Sequence, residues 1–252
     1  MRVKLGGLYF DRLTLDQAVD RILSLAARTE RDCSLVVTPN VDHVLRCQKS
    51  PELGRLYGTA ALSLADGMPI VWLSRLIGNN LPARVTGADL LPALCRAASR
   101  EQLSVFLFGG PPGAADGAAQ SLRAISPGLV IHTYCPPFGF EQNQLENSKA
   151  IAAINAAGAD ILFVGLGSPK QELWLGRWRS RLQVAVALGV GAAIEFEAGT
   201  VARAPKWMQN AGLEWLFRFM TDPVRLAGRY LSNIMFLRVI GAEIVRKLKN
   251  QH

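Results

Sequence analysis

Six short apolar runs, SLVVTPN, AALSLADG, SVFLFGG, LVIHTY, DILFVGLG and VAVALGVG, punctuate the chain, and helix-period patterns lie between them. A short apolar run without polar alternation suits a strand buried on both faces, and strands alternating with helices imply parallel pairing. The expected fold is therefore α/β, a Rossmann-like and mostly parallel sheet with helices on both faces. Half of the 252 residues are apolar, enough for a substantial core and too many for disorder. Helix entries are marked by Thr14 with Gln17, by Ser50-Pro51-Glu52, and by Ser168-Pro169 ahead of KQELWLGRW. No internal repeat or low-complexity linker interrupts the pattern.

Several strands end in groups unsuited to a core. Thr38-Pro39-Asn40, Asp66-Gly67, Gly109-Gly110, Gly167-Ser168-Pro169-Lys170-Gln171-Glu172 and the turn from Gly189 to Gly191 all follow apolar runs. Carboxyl ends share one edge in a doubly wound sheet, so these loops are expected to meet in a single crevice. Glycine turns offer backbone N–H groups and the helix after Ser168 offers its positive end, which together suit a diphosphate. The dinucleotide fingerprint is absent: GGPPG is not GxGxxG, and GVGAAI puts Ile194 where the third glycine would stand. No GxxxxGK[ST] sequence occurs either.

Single residues leave two readings open at this stage. Asp66, directly after a strand, is either a partly desolvated general base or the N-cap of the helix PIVWLSRLIG. Arg84 is either a phosphate clamp or half of an ion pair. Glu195 and Glu197 form an acidic pair like a metal-binding DxD, or lie on one face of a short strand through Phe196. His43 and His132 lack metal-ligand spacing and read as structural or solvated, as does the terminal His252. Cys33, Cys47, Cys95 and Cys135 show no CxxC spacing and read as reduced thiols. With no secretory signal and no apolar span long enough for a bilayer, a cytoplasmic location is expected.

The charge is unevenly placed. From Arg203 onward nine cations, among them Arg218, Arg225 and Arg229, face three anions, so this last fifth carries six of the net +8. After Asp222-Pro223, VRLAGRYLSNIMFLRVIGAEIVRKLK has broad apolar faces broken by arginines. The expectation is a catalytic domain over 1–200 and a basic helical C-terminal appendage over 201–252, facing an anionic membrane surface by reversible attachment. Apolar surface beside the cations and the lack of a nucleic-acid motif argue against nucleic acid as partner. Oligomeric state is not legible, which leaves room for a homo-oligomer.

TPN at 38–40, ADG at 65–67, RVTGADLL at 84–91, GGPPG at 109–113, GLGSPKQE at 165–172, GVGAAIEFEAG at 189–199 and RAPKWMQNAGLEWLFR at 203–218 together resemble the WecG/TagA/CpsF glycosyltransferase family. The resemblance spans nearly the whole chain, in order. It implies an inverting, metal-independent transferase without a cofactor, moving a sugar of the N-acetylmannosamine type, its uronic acid or glucose. The implied donor is a UDP-sugar and the implied acceptor an undecaprenyl-diphosphate-linked sugar.

Carried over by matching motifs, Asp66 is the base on the acceptor hydroxyl, with Thr38 and Asn40 lining the pocket. Arg84 and Gln171 contact the sugar-diphosphate, the loop from Gly189 through Gly191 to Glu195 faces the nucleoside, and the tail reaches the active site. Gly109, Gly110, Gly167, Ser168 and Arg203 complete the expected substrate-binding set, and Arg218, Arg225 and Arg229 are candidates to stabilise departing UDP. The chain differs from the family pattern at Glu195, where aspartate is usual, and at Gly228, where a tail arginine is frequent. The competing reading is a non-catalytic module that senses nucleotide and recruits an assembly complex to the membrane.

Overall fold

A computed structural model of the protein describes residues 2–224, 227–228 and 235–249. Strands β3 (Ser34–Val37), β4 (Leu62–Ser63), β5 (Val105–Gly109), β6 (Ile131–Tyr134), β7 (Ile161–Gly165) and β8 (Val186–Gly189) form a six-stranded sheet in the order β4-β3-β8-β7-β5-β6. Every pairing in it is parallel. The fold is thus the α/β arrangement that the alternating pattern implies.

The continuous apolar runs have a plain physical origin. Side chains alternate across a strand, and here both faces are covered. Phe106, Phe108, Leu162 and Val164 enter one core with α2 (Val41–Lys49), α4 (Met68–Leu76), α7 (Gln144–Ala157) and α8 (Lys170–Trp178). Val105, Leu107, Ile161 and Phe163 enter the other, with α1 (Leu15–Ala26), α5 (Gly87–Arg100), α6 (Ala114–Ile125) and α9 (Ala193–Glu197).

Local chemistry sets the helix starts. Thr14 and Gln17 form a reciprocal capping box at α1. Ser50 caps α3 (Pro51–Gly58), with proline in its first turn. Two short helices, α10 (Lys206–Asn210) and α11 (Glu214–Thr221), follow, and the helical run resumes at Pro223. Arg225 and Arg229 lie outside the described residues.

The N-terminal segment forms an antiparallel hairpin of β1 (Arg2–Leu5) and β2 (Leu8–Asp11), a feature the apolar-run pattern does not capture. Gly6 and Gly7 turn it with φ of 56° and 92°, the left-handed pair that matches strand twist in a two-residue turn. The Arg2 guanidinium donates to the carbonyls of Ala60 and Ala61, and Asp11 accepts from Ser63 N–H at 2.8 Å, so the hairpin covers the β4 edge.

The last helix, α12 (Phe236–Lys249), packs on this hairpin: Phe236 and Val239 are buried in the same core, and Glu243 Oε1 accepts from Gly6 N–H at 3.1 Å. Arg246 pairs with Glu243 at 3.1 Å. Glu243→Ala removes a buried acceptor from Gly6 and should lower unfolding stability by about 1–3 kcal/mol in urea titrations.

Candidate active site

Strand order fixes which loops are neighbours at the carboxyl edge. Reading along it, Asp66 follows β4, Thr38 to Asn40 follow β3, Gly189 to Gly191 end β8, Gly167 and Ser168 follow β7, and Gly109 and Gly110 end β5. At roughly 4.8 Å per strand, the Asp66 loop stands about 10 Å from the Gly191 turn and about 15 Å from Ser168. The loops expected to converge do share one edge.

The glycines here serve close approach. A Cβ on Gly109 would come within 2.7 Å of Leu166 Cδ2, one on Gly165 within 2.7 Å of Ile194 Cδ1, and one on Gly189 within 2.8 Å of Gln171 Nε2. Gly110 N–H donates to Gly165 O at 2.9 Å, sewing β5 to β7 at their ends. Gly167 and Gly191 have φ of 74° and 55° and face open space. Between them the buried Ser168 hydroxyl oxygen makes no hydrogen bond among the described residues. Lys170, at the start of α8, pairs with Glu141 and holds that carboxyl below the usual range.

Asp66 is half-buried and is not the helix cap. Gly67 occupies the cap position of α4, and no side chain caps it. The backbone holds Asp66 on both sides: its N–H donates to Pro39 O at 3.1 Å, and Val85 N–H donates to Ala65 O at 2.8 Å, which sets Arg84 beside the loop. Thr38 is buried at the end of β3. Asn40 caps α2, its side-chain oxygen accepting from the N–H groups of Asp42 and His43 at 3.1 and 3.3 Å.

Arg84 resolves toward ion pairing. It donates to Glu214 Oε2 at 2.9 Å, while Arg203 donates to Glu214 Oε1 at 3.2 Å and to Asp89 Oδ1 at 2.7 Å. Two guanidiniums and two carboxylates thus alternate in one network that joins the α5 start to α11. Burial would raise the Asp89 carboxyl, but the Arg203 charge and hydrogen bond, with Thr86 and Arg84, outweigh it and hold Asp89 below its ordinary range. The same segment packs on the start of α4, because a Cβ on Gly212 would lie 2.6 Å from Met68 Cγ and 3.3 Å from the Trp72 ring.

Gln171 is buried at 5% exposure and committed internally: its amide nitrogen donates to Glu172 Oε1 at 2.9 Å, and its oxygen accepts from Gly191 N–H at 3.0 Å. It braces the Gly191 turn from within. Glu195 and Glu197 lie on helix α9 and not on a strand, so positions two apart diverge around the axis. Burial raises the Glu197 carboxyl against the pull of Arg203, Arg96 and Lys206. Arg218 stands 5.8 Å from the centre of the Phe196 ring. Among the described residues no three His, Cys, Asp or Glu side chains gather where they could hold a metal ion.

Sequence reasoning gave Asp89 no role, placed Glu172 only within a strand-end loop and read His43 as structural or solvated. The first stands three residues after its cap Thr86, and His43 three after its cap Asn40; both spacings are capping signals that were open to view.

Such a fold, with polar loops confined to the carboxyl edge and arginines beside a strand-end aspartate, defines the doubly wound proteins that bind their ligands in that crevice. The chain belongs to the glycosyl transferase WecG/TagA/CpsF family, which it matches over residues 3–250. It is a glycosyltransferase of cell-surface polysaccharide synthesis, a family that implies a sugar-nucleotide donor and a lipid-linked acceptor. Among the described residues no helix is long and apolar enough to cross a membrane.

The network has a pH signature. Because the folded carboxyl of Asp89 is depressed, it stabilises the protein above the ordinary aspartate value of about 3.9, and that contribution is lost as pH falls through the depressed value. Arg203→Met should lower stability near neutrality by about 1.5–3 kcal/mol and flatten its decline below about pH 4, as read from urea titrations across acid pH.

Proposed function

We propose that the protein is an inverting, metal-independent transferase that moves a sugar of the N-acetylmannosamine type, its uronic acid or glucose from UDP to an undecaprenyl-diphosphate-linked sugar. The observation that carries this reading is the gathering of Asp66, the Arg84–Arg203 network and the glycine turns along one sheet edge.

Asp66 takes the proton of the acceptor hydroxyl as that oxygen attacks the anomeric carbon, and the bond from this carbon to the UDP oxygen breaks. The acceptor thereby gains the sugar with inverted configuration, and UDP leaves with the bonding electron pair. Thr38 and Asn40 line the acceptor side of the pocket. On the donor side, the turns at Gly109, Gly110, Gly167, Ser168, Gly189 and Gly191 let the diphosphate approach the backbone closely, and the N-terminus of α8 receives its charge. Glu195 faces the nucleoside, and Gln171 serves the sugar-diphosphate through the Gly191 turn. Arg84 and Arg203 are held near the developing charge by Glu214 and Asp89, and Arg218, Arg225 and Arg229 supply further cations from the C-terminal segment.

The lipid-borne acceptor calls for a membrane-facing surface at the inner face of the membrane. Trp207, Trp215, Met220, Val224 and Leu237 are exposed in α10, α11, α12 and the run after Pro223, accompanied by Lys206 and Arg238. Apolar groups mixed with cations suit an anionic lipid surface.

Asp66→Asn should lower kcat by about 100-fold or more on a short-chain lipid-diphosphate acceptor, with UDP affinity unchanged by calorimetry. Retained turnover would remove Asp66 as the base, and UDP binding with no transfer by the parent under any donor would favour the nucleotide-sensing alternative. For the membrane, Met220→Ser with Val224→Ser should weaken sedimentation with anionic vesicles by about tenfold, with the thermal midpoint unchanged.

A further inference from the structure

A line of buried polar groups runs between the Asp66 loop and the Gly191 turn. Asp66 N–H donates to Pro39 O at 3.1 Å, and the next N–H, that of Asn40, donates to His43 Nδ1 at 3.0 Å. Since Nδ1 accepts, the imidazole carries its proton on Nε2. That nitrogen faces Glu172 Oε1 at 3.7 Å, a polar contact longer than a hydrogen bond, and the same oxygen accepts from Gln171 Nε2 at 2.9 Å. Gln171 Oε1 closes the line by accepting from Gly191 N–H at 3.0 Å.

His43, Glu172 and Gln171 are exposed by only 8%, 5% and 5%, so solvent offers these groups little substitute bonding. Glu172 Oε1 accepts from the Gln171 amide and faces the imidazole edge, so the placement of this buried carboxylate depends on both groups. Its neighbours stay neutral: burial first, then the Glu172 charge, push the Cys47 thiol up to about 12 and the Tyr57 hydroxyl well above its usual range. Displacing the Gly191 turn would turn Gln171, unseat Glu172 and reach the Asn40 cap through His43.

We propose that His43 is a positioning residue, which with Glu172 and Gln171 locks the loop bearing the acceptor base against the turn that walls the donor. This rests on the transferase reading for the identity of the two sides, but the link itself is a property of the folded chain. Its effect belongs to the chemical step, where a misplacement of about 1 Å between reacting groups lowers rate by about 100-fold.

Two measurements on the full-length protein test it. Long-range proton–nitrogen NMR of the parent should show His43 neutral with its proton on Nε2; an Nδ1–H tautomer or an imidazolium at neutral pH overturns the link. In kinetics with UDP-N-acetylmannosamine and a short-chain lipid-diphosphate acceptor, His43→Asn keeps an acceptor for Asn40 N–H but loses the edge facing Glu172. It should lower kcat by about tenfold or more and leave KM for the donor within about twofold. Glu172→Gln should act alike, and the double variant should lose no more than the worse single one.

Unchanged kcat in His43→Asn, or losses that multiply, overturns the proposal. Should His43→Asn fail to fold, the tautomer of the parent decides. A parent inactive on every UDP-sugar would instead remove the transferase reading, and the link would then be judged by the tautomer and by whether the two variants alter UDP affinity non-additively.

Discussion

Burial of the parallel sheet on both faces is the constraint from which the rest follows. With Phe106, Leu162 and their neighbours filling one core and Val105, Phe163 and theirs the other, the central strands β5, β7 and β8 carry no polar side chain. Groups that need water, ligand or a counter-charge are driven to the strand ends. Parallel pairing then gives all those ends one direction, so Asp66, Thr38, Gly191, Ser168 and Gly110 meet although the sequence scatters them over more than a hundred residues.

The second constraint is electrostatic. Two guanidiniums and two carboxylates hold each other in the Arg84–Glu214–Arg203–Asp89 network, so cations can stand beside the crevice without mutual repulsion. The same network ties Arg203 and Glu214 to the start of α5, while Gly212 packs closely against Met68 at the start of α4. Arg203 and Glu214 of the C-terminal segment are therefore bound into the same network as Arg84, beside the Asp66 loop. The last helix, α12, reaches further and buries Phe236 and Val239 in the core beneath the hairpin.

Much of this was legible in the residues. The apolar runs gave the sheet, Thr14 with Gln17 and Ser50 with Pro51 gave helix starts, and the loop motifs gave the family. What escaped has physical reasons. The β1–β2 hairpin is signalled by Gly6-Gly7 between apolar residues, but its four-residue strands are too short to stand out from a polar N-terminus. Asp66 had equal claims as helix cap and as general base until Gly67 took the cap position. Glu195 and Glu197 could be placed on one face only by assuming a strand, and α9 turns them apart. His43 looked inert because Glu172, which it faces, lies on a different helix.

The sequence by itself determined the fold class, the sheet edge that the polar and glycine loops share and the family, because hydrophobic periodicity, turn residues and motif blocks are local properties written in chain order. Tertiary structure alone decided which charges meet and which polar groups are shared. Arg84 meets Glu214 across 130 residues and Gly6 meets Glu243 across 237. His43 faces Glu172 only because α2 and α8 pack on the same face of the sheet. Those pairings depend on distances in space, set by strand order and close packing, and chain order does not encode them locally.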